Sequence, residues 1–298
     1  MSRALRAAPA AFLWLLIHGF APAPAFAWTD ATRLRMIEDA LKISPPALRA
    51  VLKHFGKDLG RGMLEPGRHE GEEIHYQHAD GRSGLAARAV ERKRTEIGRL
   101  IEERKPLRRF AYEMGVLAHL VSDLEFPLNA SDADPREPLY HEAYRRYVEE
   151  RLGKIPFVFD RVPPPPLERG DLRGFALAAA QRAGRNYAHI GKAFKDDGTP
   201  TSPAAVDERS VPFGVASLAY SHAASDIAWV WLSVWRSING DLEGTPALNL
   251  PPPRKAGIPK KPAKRKEAPP KAGQPAPPAG AAKPAPAPEP DDGAETPS

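Results

Sequence analysis

The stretch PLRRFAYEMGVLAHLVSDLEF, residues 106–126, constrains the fold of this chain more than any other. Phe110, Met114, Leu117, Leu120, Val121 and Leu124 recur at helical spacing, so most of this predicted helix can be buried. A helix of that kind needs other elements packed around it. Two of its residues do not suit an apolar core, His119 and Asp123. They lie four apart and therefore one above the other on the same face. An imidazole and a carboxylate so placed can grip one divalent metal. They can equally form a satisfied core pair, so the rest of the chain has to decide between the two.

The surrounding sequence reads as helical. Leu34, Ile37 and Leu41 give 28–43 a helical period, and Ser44-Pro45-Pro46 breaks and restarts the chain before a short helix over 47–55. Residues 56–84 are rich in Gly, His and acids and read as one long loop, which inside a folded domain is often functional. Helices are expected over 85–103, 137–152, 172–194 and 210–238, with Pro163–Pro166 an extended spacer. No alternating run is long enough for a strand. The expectation is an all-α domain of about seven helices over residues 28–249, long enough for one substantial core.

Both ends stand apart from that domain. Residues 1–27 have the form of a secretory signal peptide: Arg3 and Arg6, an apolar run over 10–20, then Ala25-Phe26-Ala27 as a cleavage site. The protein is therefore expected to be exported, periplasmic or secreted, and the apolar run is short for a membrane span. Residues 250–298 are rich in Pro, Ala and Lys and are expected to be disordered. The net charge of +6 owes much to this tail, so it is no nucleic-acid footprint of the folded part. The tail's basic first half could touch an anionic surface or simply stay solvated. The chain has no cysteine, which excludes disulfides and thiolate metal sites. Any metal must be held by His, carboxylate or backbone groups.

Candidates for those groups lie in the 56–84 loop, which holds Glu65, His69, Glu72, Glu73, His75, His78 and Asp80. Cleavage after Ala27 would leave Trp28 as the first residue. Its amine and carbonyl could then chelate a metal; otherwise Trp28 simply begins the first helix. His54, His189 and His222 fall within predicted helices and read as structural. His222 and Asp226 repeat the His119/Asp123 spacing in a Trp-rich helix and read as a buried hydrogen-bonded pair.

Taken in order, these features resemble the superfamily of zinc-dependent bacterial phospholipase C and the single-strand-specific zinc nucleases. The resemblance is carried by Trp28 after an A-x-A site, the His- and acid-bearing loop, HLVSDLEFPLN at 119–129 and HEAYR at 141–145. It implies an all-α fold and a Zn²⁺ site formed by His119, Asp123, His75 and Glu65, with Asp123 bridging to a second ion held by Trp28. The chain departs from the pattern in three places. No histidine occurs between Trp28 and Lys53, Asn129 stands where a histidine is expected, and Arg145 stands where a glutamate is expected. His141 is retained. One site is then intact, one is reduced to Trp28 and Asp123, and one is lost, because Arg cannot ligate a metal.

The resemblance implies hydrolysis of a phosphate ester, with a phospholipid head group favoured and no stable nucleic-acid complex. Zinc would generate the nucleophile from water, Asp123 or Glu65 would orient or deprotonate that water, and Arg145 would supply fixed positive charge to the phosphate. The alternatives are a catalytically decayed member of the same fold serving as a binding module, and a single-strand nuclease. The nuclease would need aromatic platforms such as Tyr76, Tyr140 or Tyr144 near the site.

Overall fold

Residues 107–124 do form the helix their periodicity predicts, and it runs through the middle of the molecule. The computed structural model describes residues 27–65, 71–159, 161–246 and 248. Residues 1–26 of the signal-peptide segment, the tail segment and His69 lie outside the described residues. All described residues belong to one unit, residues 1–251. The α-helices among them, in chain order, are α1 Asp30–Ile43, α2 Pro46–His54, α3 Gly56–Leu64, α4 Ala86–Glu102, α5 Leu107–Leu124, α6 Glu137–Glu150, α7 Pro165–Glu168, α8 Leu172–Gly184, α9 Tyr187–Gly191 and α10 Val211–Ser237. Short 3-10 turns, including Glu72–His75 and Pro127–Ala130, link some of them. Outside the helices the described residues show only two isolated bridges, Gln77 with Gly84 and Phe194 with Pro200. The fold is all-α, as expected.

Local chemistry sets the boundaries. Thr29 caps α1 by accepting from the Thr32 amide, and Ser210 caps α10 by accepting from that of Phe213. Prolines stand first in α2 and α7 and second in α10, where their missing N–H costs nothing. Helix α5 is buried from Phe110 to Leu124 except at Tyr112, packed against α3, α4 and α10. Trp231 of α10 ties itself to it by donating from Nε1 to the Met114 carbonyl at 3.0 Å.

Three expectations are corrected. The segment 56–84 does not begin as loop, because its first nine residues are α3. Its glycines serve packing. A Cβ on Gly62 would stand 1.9 Å from the Tyr112 carbonyl oxygen, and one on Gly115 would stand 2.2 Å from that of Leu59. Two glycines therefore let α3 and α5 cross at backbone distance, at some cost in chain entropy. The expected helix over 172–194 is two helices, parted at Arg185 and Asn186. The proline run does not stay extended throughout: Pro165 and Pro166 open the single turn α7.

Candidate metal centre

The close crossing of α3 and α5 brings the Met63 carbonyl to His119. His119 Nδ1 lies 2.7 Å from that oxygen. A carbonyl can only accept, so Nδ1 carries the proton and the neutral ring presents a lone pair at Nε2. His119 Nε2 lies 3.1 Å from His75 Nδ1 and 3.1 Å from Asp123 Oδ2. His75 Nδ1 lies 2.9 Å from the same Asp123 oxygen. Since His119 Nε2 and the carboxylate both accept, the proton at the centre of this triangle sits on His75 Nδ1.

His75 reaches the triangle from the other side, at the end of the 3-10 turn Glu72–His75. Asn129 holds that turn in place. Its Nδ2 donates to the His75 carbonyl at 2.8 Å and to the Asp123 carbonyl at 3.2 Å. Gln77 pins the following residues, with Nε2 donating to the Ser83 carbonyl at 2.9 Å. Two elements distant in sequence are thereby clamped across one carboxylate.

The other carboxylate oxygen meets a buried cation. Arg33 of α1 is 2% exposed. Its Nη2 donates to Asp123 Oδ1 at 2.6 Å, its Nη1 to Ser122 Oγ at 2.9 Å, and its Nε to the Trp28 carbonyl at 3.2 Å. Ser122 passes its own proton to the His119 carbonyl at 2.7 Å. The Trp28 indole donates to the Ser122 carbonyl at 2.8 Å and packs edge-on against Phe126, centroids 4.9 Å apart.

This surround sets the protonation states. Burial works against the Asp123 carboxylate, yet the Arg33 guanidinium beside it, with the His75 N–H directed at Oδ2, holds its pKa well below the usual range. Burial, reinforced by Arg33, pushes the His119 pKa down, so the imidazole is neutral. An ionised carboxylate and a neutral imidazole are the forms that ligate a metal.

The donor set fits a divalent ion. His75, His119 and Asp123 each offer a ligand atom, and among the described residues they are the only such group of three. Around Zn²⁺ with bonds near 2.0–2.1 Å, tetrahedral ligand atoms stand about 3.3 Å apart. The observed triangle needs only a few tenths of an ångström of expansion. His75 Nε2 is buried without a hydrogen-bond partner. The central proton can therefore move to Nε2 as the ring changes tautomer, with no net charge change. Three protein ligands would leave the fourth tetrahedral position to water or substrate, the pattern of catalytic rather than structural zinc sites. His75 is the least enclosed of the three, its side chain 15% exposed against 2% and 1% for His119 and Asp123.

The remaining candidates are placed differently. Trp28 is at the centre, but its carbonyl accepts from Arg33. Glu65 caps the end of α3 and accepts from Arg61 Nε at 3.0 Å; it is not one of the converging three. Arg145 is spanned by Glu142 on α6, at 2.7 and 3.0 Å. His141 is anchored through Nδ1 to Glu137 Oε1 at 2.8 Å, with Nε2 buried and unpartnered. It packs on Phe126, the ring that also covers Trp28. His222 and Asp226 join a larger cluster with Glu125 and Arg182. Sequence reading missed Arg33. Its signal was present: Arg33, Met36, Ile37 and Ala40 share one helical stripe, and a charge on a buried stripe demands a partner.

Over 74% of its length this fold superposes on that of the alpha toxin from Clostridium absonum, with a TM-score of 0.55 at 12% identity. The alpha-toxin of Clostridium perfringens from avian strain SWCP gives 0.53, also at 12% identity and 74% coverage. The fold is phospholipase C-like and all-α. The chain spans 66% of the length of each toxin. No family model and no curated protein matches the sequence. Among the described residues no helix is long and apolar enough to cross a membrane.

Proposed function

We propose that the chain is an exported, zinc-dependent hydrolase of phosphate esters, acting on a phospholipid head group or a similar ester. The observation that supports this most directly is the convergence of His75, His119 and Asp123 in a phospholipase C-like fold. These three residues would hold the ion. When bound, a divalent ion supplies Lewis acidity and lowers the pKa of water toward neutrality. The chain's own groups do the rest. Met63 and Asn129 fix the two histidines, Asp123 stays ionised, and Arg33 places permanent positive charge against the carboxylate. His75, the least enclosed of the three, is the ligand nearest an arriving substrate. Positive charge beside the centre comes from Arg33 rather than from Arg145, whose guanidinium is spanned by Glu142.

The test is turnover of a chromogenic phosphodiester and of phosphatidylcholine vesicles by zinc-loaded protein, chelator-treated protein and His119→Ala. Hydrolysis by the first alone is the expected result. Equal rates in all three would refute the assignment. Burial of two of the three ligands favours a second reading, a binding module with a structural ion. Full zinc loading with no turnover of either substrate would select it.

A further inference from the structure

We propose that Arg33 is a built-in cation that restricts this centre to a single metal ion. The inference rests on the metal reading above and adds to it a fixed stoichiometry and its cause. Asp123 is the only carboxylate among the converging residues, and its two oxygens are divided. Oδ2 faces His75 and His119, whereas Oδ1 is held by Arg33 Nη2 at 2.6 Å. A second ion sharing Asp123 would have to approach from the Oδ1 side. Two oxygens within reach there, the Trp28 carbonyl and Ser122 Oγ, are already bound by Arg33, at 3.2 and 2.9 Å. The guanidinium thus stands in the charge position of a second cation and bonds three oxygens that such an ion would need.

Arg is suited to that role. It is planar, weakly hydrated and never deprotonated, so it can remain buried beside a carboxylate with its donors satisfied. Two consequences follow. The centre without metal is already charge-balanced on the Asp123 side, so the protein folds without an ion. The centre with one divalent ion carries Arg33, Asp123 and the ion for a net charge of +2, which suits an anionic phosphoryl group.

The experiment is a Zn²⁺ and Co²⁺ titration of the secreted protein, its amino terminus sequenced to show that Trp28 is first, with ions per chain counted by mass spectrometry after gel filtration and Co²⁺ absorption followed in parallel. A thermal melt in chelator is run alongside. The expected result is one ion per chain, a cooperative melt without metal, and two ions per chain in Arg33→His, which exchanges the cation for a neutral ligand. Two ions in the wild type would overturn the proposal while leaving the hydrolase reading intact. No ion in the wild type would overturn both. One ion in both the wild type and a folded Arg33→His protein would show that Arg33 is not what excludes the second. Arg33→Lys, which keeps the charge, is expected to stay at one ion.

Discussion

Replacing Gly62 by Ala tests how the centre is assembled. The new Cβ would lie 1.9 Å from the Tyr112 carbonyl oxygen, whereas ordinary contact begins at 3.4 Å. The obstacle is backbone, so it cannot swing aside, and α3 and α5 must part by up to about 1.5 Å, the difference between those two distances. Overpacking of this kind costs about 1–3 kcal/mol, and the better helix propensity of Ala returns about 0.5–1 kcal/mol. A net loss of about 1–2 kcal/mol lowers Tm by about 2–8 °C in a domain of this size. The same separation stretches the 2.7 Å bond from His119 Nδ1 to the Met63 carbonyl beyond hydrogen-bonding range. Loss of a group that orients a metal ligand typically weakens metal affinity about 10–100-fold. The assay is a thermal melt in chelator, paired with competitive Zn²⁺ titration. Gly98→Ala is the control. It lies in α4 with nothing within 4 Å of its new Cβ, and it should raise stability by about 0.5–1 kcal/mol. A Gly62→Ala protein with unchanged Tm and zinc affinity would refute the close-crossing account.

Asn129→Ala removes the clamp between His75 and Asp123. It should cost about 1–3 kcal/mol in urea unfolding and weaken zinc binding, with His75 resonances broadened by NMR. Arg33→Met leaves Asp123 Oδ1 buried without its counter-charge, at a cost of about 3–5 kcal/mol; denaturant unfolding in chelator within 1 kcal/mol of wild type would contradict this. At Glu125, burial and the neighbouring Asp226 outweigh Arg182 and push the carboxyl up from 4.5 to about 8. A raised carboxyl pKa stabilises the fold fully below 4.5 and loses that contribution as pH rises through about 8. Tm should therefore fall across this window, and Glu125→Gln should flatten the fall. His141→Ala should leave metal stoichiometry unchanged, because its Nε2 is outside the three-ligand group.

Much of the architecture was legible in the chain itself. Helical periodicity is a local property, so Phe110, Met114, Leu117 and Leu124 identified the buried central helix without reference to any other element. The spacing of His119 and Asp123 fixed their shared face for the same reason. Glycine misled in one place: Gly56, Gly60 and Gly62 read as loop signals, but their helix is stabilised by packing, which overrides propensity. Only the tertiary structure decided which partners those two side chains meet. Met63, His75 and Arg33 lie 56, 44 and 90 residues from the partners they contact, and no local rule relates such positions. Arg33 carried a sequence signal, a charge on a buried stripe, yet its destination at Asp123 depends on how α1 packs against α5. Glu65 and Arg145 had the right chemistry for the site but lie on helix surfaces, where Arg61 and Glu142 are within reach a turn away. The sequence determined which residues could serve a metal. The packing of three helices, α1, α3 and α5, and of the short turn at His75 decided that three of them converge, and that a guanidinium stands beside them.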